Sequence, residues 1–248
     1  MKINMEFDFI YLDEAASTNS EALKLANFTD KPTFIVAKKQ TNGRGRIDRF
    51  WVDPIGNFSG SILIKIDEDL QTLALRSFVT AVSVFDAIAE KIGNEHALTI
   101  KWPNDILLNG KKICGILLET KKLRHVTALV IGIGINLLST PKLNEAQEIT
   151  IEPGSIFGET GIKLDPLNFS ELIAHHYVLR ENQFRTTGFS KIREIWMSRA
   201  AKLGAKITAR TPVFEYQGKF DSIDEKGQLI IINNGEKKKI AAAEIFFK

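Results

Sequence analysis

Residues 98–137 constrain the fold more than any other part of the chain. Two apolar runs, 98–102 and 106–108, flank a Pro103-Asn104-Asp105 turn, and Asn109-Gly110 then supplies the two-residue connection of a tight hairpin into a third run over 112–119. A fourth run follows at 126–137. Strand patterns in such close succession predict neighbouring, antiparallel strands, and therefore an α+β fold with a mixed, largely antiparallel sheet rather than βαβ winding.

The flanking segments extend that sheet. Residues 7–12 read as a strand, followed at once by Ser17-Thr18-Asn19-Ser20-Glu21, in which Thr18 and Glu21 have the spacing of a capping box for a helix to about residue 27. Strands are predicted at 33–37 and 61–66. Leu75, Phe78, Val79, Val82, Phe85, Ala89 and Ile92 recur at three- and four-residue spacings, marking a long amphipathic helix that Gly93 stops. Helical patterns return over 168–184 and 189–199. From residue 205 the texture changes to short alternating strands punctuated by Gln217-Gly218, Lys226-Gly227 and Asn234-Gly235, the pattern of a small β-barrel. The expected division is a first domain over 1–203 and a barrel over 204–248. Lys237-Lys238-Lys239 is expected to be a solvated strand edge.

Where could such a chain hold a ligand? Thirty-three Lys and Arg against 30 Asp and Glu leave a net charge of +3, too small to steer the whole molecule onto a nucleic acid or an anionic membrane. Any anion site must be local. The chain has one cysteine, Cys114, inside an apolar run, so no internal disulfide is possible and a reducing, cytoplasmic setting is expected. No apolar run is expected to reach the ~18 residues of a membrane span.

Two local blocks stand out. Gly43-Arg44-Gly45-Arg46, continued by Arg49, combines glycines that let backbone approach a ligand with guanidinium forks suited to carboxylate and phosphate. Composition alone leaves this loop open between an anion site and an Arg-Gly segment of the RNA-binding kind. Lys101-Trp102-Pro103-Asn104-Asp105 places a cation, an aromatic ring, an amide and a carboxylate in one turn; Asp105 is a candidate ligand for a divalent cation. Lys112, seven residues on, brings a second cation back beside that turn, so the blocks together predict an anion-binding constellation. Other templates fail. There is no G-x-x-x-x-G-K-[ST] loop, and Gly132-Ile133-Gly134-Ile135-Asn136 lacks the third glycine of the dinucleotide fingerprint. Histidines at 96, 125, 175 and 176 are too scattered for zinc.

Taken in order, Ser17-Thr18-Asn19, Gln40 before Gly43-Arg44-Gly45-Arg46, Trp51, Lys101-Trp102-Pro103-Asn104-Asp105, Lys112 with Gly115-Ile116-Leu117, and Gly132-Ile133-Gly134-Ile135-Asn136 resemble the biotin protein ligases, also called biotin–[acetyl-CoA-carboxylase] ligases. The resemblance implies a class II synthetase-like catalytic domain with a small SH3-like barrel. It also implies two reactions: the biotin carboxylate attacks MgATP to give biotinyl-5′-AMP, and the biotinyl group then passes to a lysine of the biotin carboxyl carrier protein of acetyl-CoA carboxylase. By matching positions, Ser17, Thr18, Asn19, Gln40, Arg44, Gly45, Arg46, Lys112 and Gly115 would bind biotin. Arg46, Trp51, Lys101, Asn104 and Asn136 would bind ATP, Lys112 and Arg46 would be catalytic, and Asp105 would hold magnesium. The first strand pattern near residue 7 leaves no room before it for a DNA-binding domain, so DNA binding and a membrane role are not expected, and the molecule is expected to be a monomer or weak homodimer. Ile47-Asp48-Arg49 stand where the family loop often continues with glycine and a basic residue, which bears on how the loop closes. Lipoate or octanoate protein ligases of the same fold are the alternative within this class, although they usually lack the two specific blocks together. A non-catalytic nucleic-acid-binding module is the alternative outside it.

Overall fold

The structure, a computed structural model, describes residues 5–46, 49–93, 97–141 and 151–247; Ile47, Asp48 and His96 of the sequence expectations lie outside these. In chain order the elements are β1 (Asp8–Leu12), α1 (Thr18–Leu25), β2 (Thr33–Ala37), β3 (Gly43–Arg44), β4 (Phe50–Trp51), β5 (Phe58–Ile66), α2 (Leu70–Ala74), α3 (Arg76–Ile92), β6 (Leu98–Lys101), β7 (Asp105–Leu108), β8 (Lys111–Lys122) and β9 (Thr127–Ile135). Then come α4 (Ile156–Thr160), α5 (Pro166–Thr187), α6 (Phe189–Ser198), β10 (Lys206–Arg210), β11 (Glu215–Ile223), β12 (Leu229–Asn233), β13 (Glu236–Ile240) and β14 (Glu244–Phe247).

Seven strands form one sheet in the order β1-β2-β5-β9-β8-β7-β6, and only the β1–β2 pair is parallel. The hairpin predicted from Asn109-Gly110 is present: both residues have positive φ, 52° and 80°, as a two-residue turn between antiparallel strands requires. Alternation along the central strands explains the layering. Ile62, Ile64, Leu129, Ile131 and Ile133 point to one side and pack under α3, α5 and α6, whereas Ile35, Leu63, Ala128 and Val130 point to the other and pack under α1. Burying one such side chain fully contributes about 1.5–3 kcal/mol, so both faces are firmly specified.

The second sheet, in the order β13-β12-β11-β10-β14, is antiparallel throughout and forms the expected SH3-like C-terminal unit. Phe220, Ile223, Leu229 and Ile231 join the same apolar core as the main sheet. The indole of Trp102 donates to Gly227 O at 2.9 Å, fixing the 101–105 turn to the second sheet, and that of Trp196 donates to Pro103 O at 3.2 Å, tying the same turn to α6. The Trp102-Pro103 peptide is cis. Edge strand β13 carries Lys237, Lys238 and Lys239 exposed, as expected of a protected edge.

Three local expectations are corrected. Ser17, not Thr18, occupies the N-cap of α1 and makes no side-chain cap, and the Thr18 hydroxyl and amide donate to Gln40. Gln217-Gly218 lies within β11 rather than in a turn; a Cβ at Gly218 would meet Ile232 O at 2.6 Å, so glycine is required there by a neighbouring strand. The short helices α2 and α4 were too brief to show periodicity. Leu70–Ile92 is long and apolar enough to cross a membrane by length and composition, but it is mostly buried in the core.

Candidate active site

One cleft, lined by residues from Ser17 to Ile245, gathers motifs that lie far apart in sequence. Its floor is made of glycines. Gly115 on β8 is paired with Gly134 on β9, and Gly132 is paired with Leu117. Bare backbone at these positions admits two side chains: a Cβ at Gly132 would lie 2.9 Å from Asn19 Cγ, and one at Gly134 would lie 2.7 Å from Trp51 Cζ2. The Trp51 ring also passes over Gly115, where a Cβ would stand 3.1 Å from Cζ3.

One end of the cleft is neutral and rich in hydrogen-bonding groups. The Thr18 amide donates to Gln40 Oε1 at 2.9 Å, and the Ser61 hydroxyl sits 2.7 Å from that of Thr18 and 2.6 Å from Asn19 Oδ1. Ser17, Thr18, Asn19 and Ser61 are all buried. Behind them the Gln40 amide donates to Asp53 Oδ2 at 3.1 Å. Burial pushes the Asp53 carboxyl up to about 6, against the smaller opposing effect of its bonds to Ser59 and Gln40.

The other end is cationic. Lys112 Nζ lies 2.7 Å from Asp105 Oδ1 and 6.0 Å from the Trp51 ring centre. Lys101, buried beside them, is pushed down to about 8, first by burial and then by the like charges of Lys112 and Arg49, with Asp105 and Glu244 opposing. Arg46 lines the cleft, and among the described residues its guanidinium makes no ion pair. Arg49 is ion-paired with Glu244 of β14, so the second sheet closes one side of the pocket.

Most of the residues expected from sequence converge here: Ser17, Thr18, Asn19, Gln40, Arg44, Gly45, Arg46, Trp51, Lys101, Asp105, Lys112 and Gly115 all line the cleft. Asn104 and Asn136 do not. Their amides donate to Ile116 O and Gly154 O, both at 2.9 and 2.8 Å respectively, so they brace the backbone behind the wall. Trp51 lies on the glycine floor next to Lys112. Arg44 reaches the rim, but its guanidinium is held by Glu119 at 2.9 Å and Ser20 at 2.8 Å. Glu119, Asp53, Ser61 and Glu244 were not anticipated. Glu119 could have been found from strand alternation, two residues beyond Leu117 and four beyond Gly115 on the same face; Glu244 carries no local signal at all.

Asp105 was expected to hold magnesium. Among the described residues no three carboxylate, histidine or cysteine side chains gather as a metal site. Asp105 is engaged by Lys112 and Glu244 by Arg49. Such a donor set fits a magnesium ion that arrives on a triphosphate and takes a single protein carboxylate, rather than a cage built by the protein.

Comparison with known proteins agrees with this arrangement. The model of the biotin/lipoate A/B protein ligase family matches residues 11–136. The chain is 42% identical to a biotin–[acetyl-CoA-carboxylase] ligase of Paracoccus denitrificans over 93% of this chain and 97% of that one. It is 36% identical to the bifunctional ligase/repressor BirA of Bacillus subtilis, over 95% of this chain and 73% of that one. The biotin protein ligase of Aquifex aeolicus, solved in complex with biotin and ATP, superposes with a TM-score of 0.79 at 26% identity, covering 96% of this chain and 97% of that structure. A pocket with a neutral end and a cationic end, on a fold shared over nearly its whole length with these proteins, places the chain in the biotin/lipoate A/B protein ligase family.

Proposed function

We propose that this chain is a biotin protein ligase that activates biotin with MgATP and transfers it to the biotin carboxyl carrier protein of acetyl-CoA carboxylase. The observation that carries the reading is the polarity of the cleft: Thr18, Asn19 and Gln40 offer neutral donors and acceptors at one end, and Lys112, Lys101 and Arg46 offer positive charge at the other. Biotin has the same polarity, a neutral ureido ring and a carboxylate tail.

In the first step a biotin carboxylate oxygen bonds to the α-phosphorus of ATP and the bond to the bridging oxygen breaks, releasing pyrophosphate. An anion must approach a polyanion, so the main task of the site is to offset repulsion. Lys112, on the floor beside the cationic end, meets the carboxylate and α-phosphate, while Arg46 and Lys101 stabilise charge as it builds on phosphorus. Exchange of Asp105 from Lys112 to magnesium would free that ammonium for the anion. Magnesium, when bound with ATP, neutralises phosphate charge. Trp51 gives an apolar cover over the glycine floor. In the second step the carrier lysine amine attacks the acyl carbon, AMP leaves, and the amine gives up a proton. Arg44, Gly45 and Arg46, which line the cleft, shield the mixed anhydride from water until then.

The remaining features of the reading are a cytoplasmic location, consistent with the single buried Cys114; a division into a catalytic domain over 1–203 and a barrel over 204–248 that contributes Glu244; and a monomer or weak dimer acting without DNA. Biotin-dependent exchange of labelled pyrophosphate into ATP tests the reading. Exchange driven by lipoate or octanoate and not by biotin would replace it with the other branch of the family.

A further inference from the structure

Strand β8 presents Gly115, Leu117 and Glu119 on the face that looks toward α1. The first two line the cleft; Glu119 stands just behind it. Its carboxylate ties together three elements. Oε2 accepts from Asn19 Nδ2 at 2.6 Å, and the two oxygens accept from Arg44 NH2 at 2.9 and 3.1 Å. Arg44 NH1 then reaches Ser20 Oγ at 2.8 Å. Helix α1, strand β3 and strand β8 thus meet at a single acid.

A carboxylate only accepts hydrogen bonds, so it dictates how the Asn19 amide lies. Nδ2 must face Glu119, which leaves Oδ1 against Ser61 and above Gly132. The same charge engages Arg44. An unengaged guanidinium at the neutral end of the cleft would compete with Lys112 and Arg46 for the substrate's anionic groups and favour binding in the wrong sense.

Resting on the biotin ligase reading, we propose that Glu119 is a positioning residue for biotin: it sets the Asn19 amide and ties the first half of the arginine loop to β8, so that Arg44 is a tether and Arg46 the anion-facing arginine. Its effect is confined to the biotin end. The bonds of Glu119 go to Asn19 and Arg44, whereas the ATP end is built on Lys101 and Lys112.

The test measures KM for biotin, KM for ATP and kcat in pyrophosphate exchange for the wild type, Glu119→Ala, Glu119→Gln, Arg44→Ala and the Arg44→Ala/Glu119→Ala double variant. Hydrogen bonds to a charged group are lost, so Glu119→Ala should raise the biotin KM about tenfold or more. ATP KM and kcat should stay within roughly threefold, the pattern of lost uniform substrate binding. Glu119→Gln keeps an acceptor for Asn19 but loses the ion pair, and should fall between wild type and alanine. The double variant should bind biotin no worse than Glu119→Ala if Arg44 acts only as a tether. A biotin KM within about twofold of wild type, or equal losses in all three parameters, overturns the proposal. If Glu119→Ala does not fold, an unchanged biotin KM in Glu119→Gln overturns it equally. Failure of the wild type to support biotin-dependent exchange would instead refute the functional reading, which is a distinguishable result.

Discussion

Adding one methyl group at Gly132 should damage biotin binding more than it damages the fold. The Cβ of alanine there would lie 2.9 Å from Asn19 Cγ and 3.0 Å from Nδ2, closer than side chains normally approach. Asn19 cannot swing aside cheaply, because it is buried and held at both ends, by Ser61 at 2.6 Å and by Glu119 at 2.6 Å. Overpacking of this kind costs roughly 1–3 kcal/mol, and displacing an amide from a charged acceptor costs a similar amount. If about 2 kcal/mol of this falls on the orientation of Asn19 in the complex, biotin affinity drops about thirtyfold. Isothermal titration of Gly132→Ala with biotin measures it. The cause can be isolated with Asn19→Ala, which removes the obstructed side chain: Gly132→Ala should then cost almost nothing further. Biotin affinity in Gly132→Ala within about twofold of wild type, or a full additional loss in the Asn19→Ala background, would refute the steric argument.

Other substitutions and conditions probe the rest of the site. Lys112→Ala should slow adenylation about a hundredfold or more, as for loss of a donor to developing charge, and should affect transfer from preformed biotinyl-AMP much less; rapid-mixing assays of the two half-reactions compare them. Lys101 is a cation below about 8, so adenylation should decline as pH rises through that value, and Lys101→Arg should remove the decline if it remains active. Asp53 has a folded value near 6 against 3.8 in the unfolded chain. The folded state therefore binds the extra proton between those values, and the stability Asp53 contributes is complete below about 3.8 and lost as pH rises through about 6. Denaturant unfolding should show Asp53→Asn gaining on the wild type across that window, by up to about 3 kcal/mol.

Sequence alone revealed features governed by local backbone needs. Asn109-Gly110 announced its hairpin because both residues must take positive φ, and the spacing of Phe78, Val79 and Val82 announced α3 because one helix face has to be apolar. It misled where a distant partner decides. Thr18 has the spacing of a cap, but Gln40, 22 residues away, takes its amide and hydroxyl. Gly218 looked like a turn and is instead a concession to the carbonyl of Ile232. The site shows the same division. The residue types of the cleft were legible in the Gly43 to Arg46 and Lys101 to Asp105 blocks, whereas their partners were not: Arg44 pairs with Glu119, and Asn104 and Asn136 donate to the carbonyls of Ile116 and Gly154. Those outcomes depend on which acceptor stands across a strand or sheet.

The account rests most directly on biotin as the group activated. Pyrophosphate exchange should be measured with purified protein, ATP and magnesium, adding biotin, lipoate or octanoate in turn, and the biotin reaction should then be completed with the carboxyl carrier domain. Exchange that requires biotin, followed by stoichiometric labelling of a carrier lysine, is the predicted result. Exchange with lipoate or octanoate alone, or no exchange with any of the three, would contradict it.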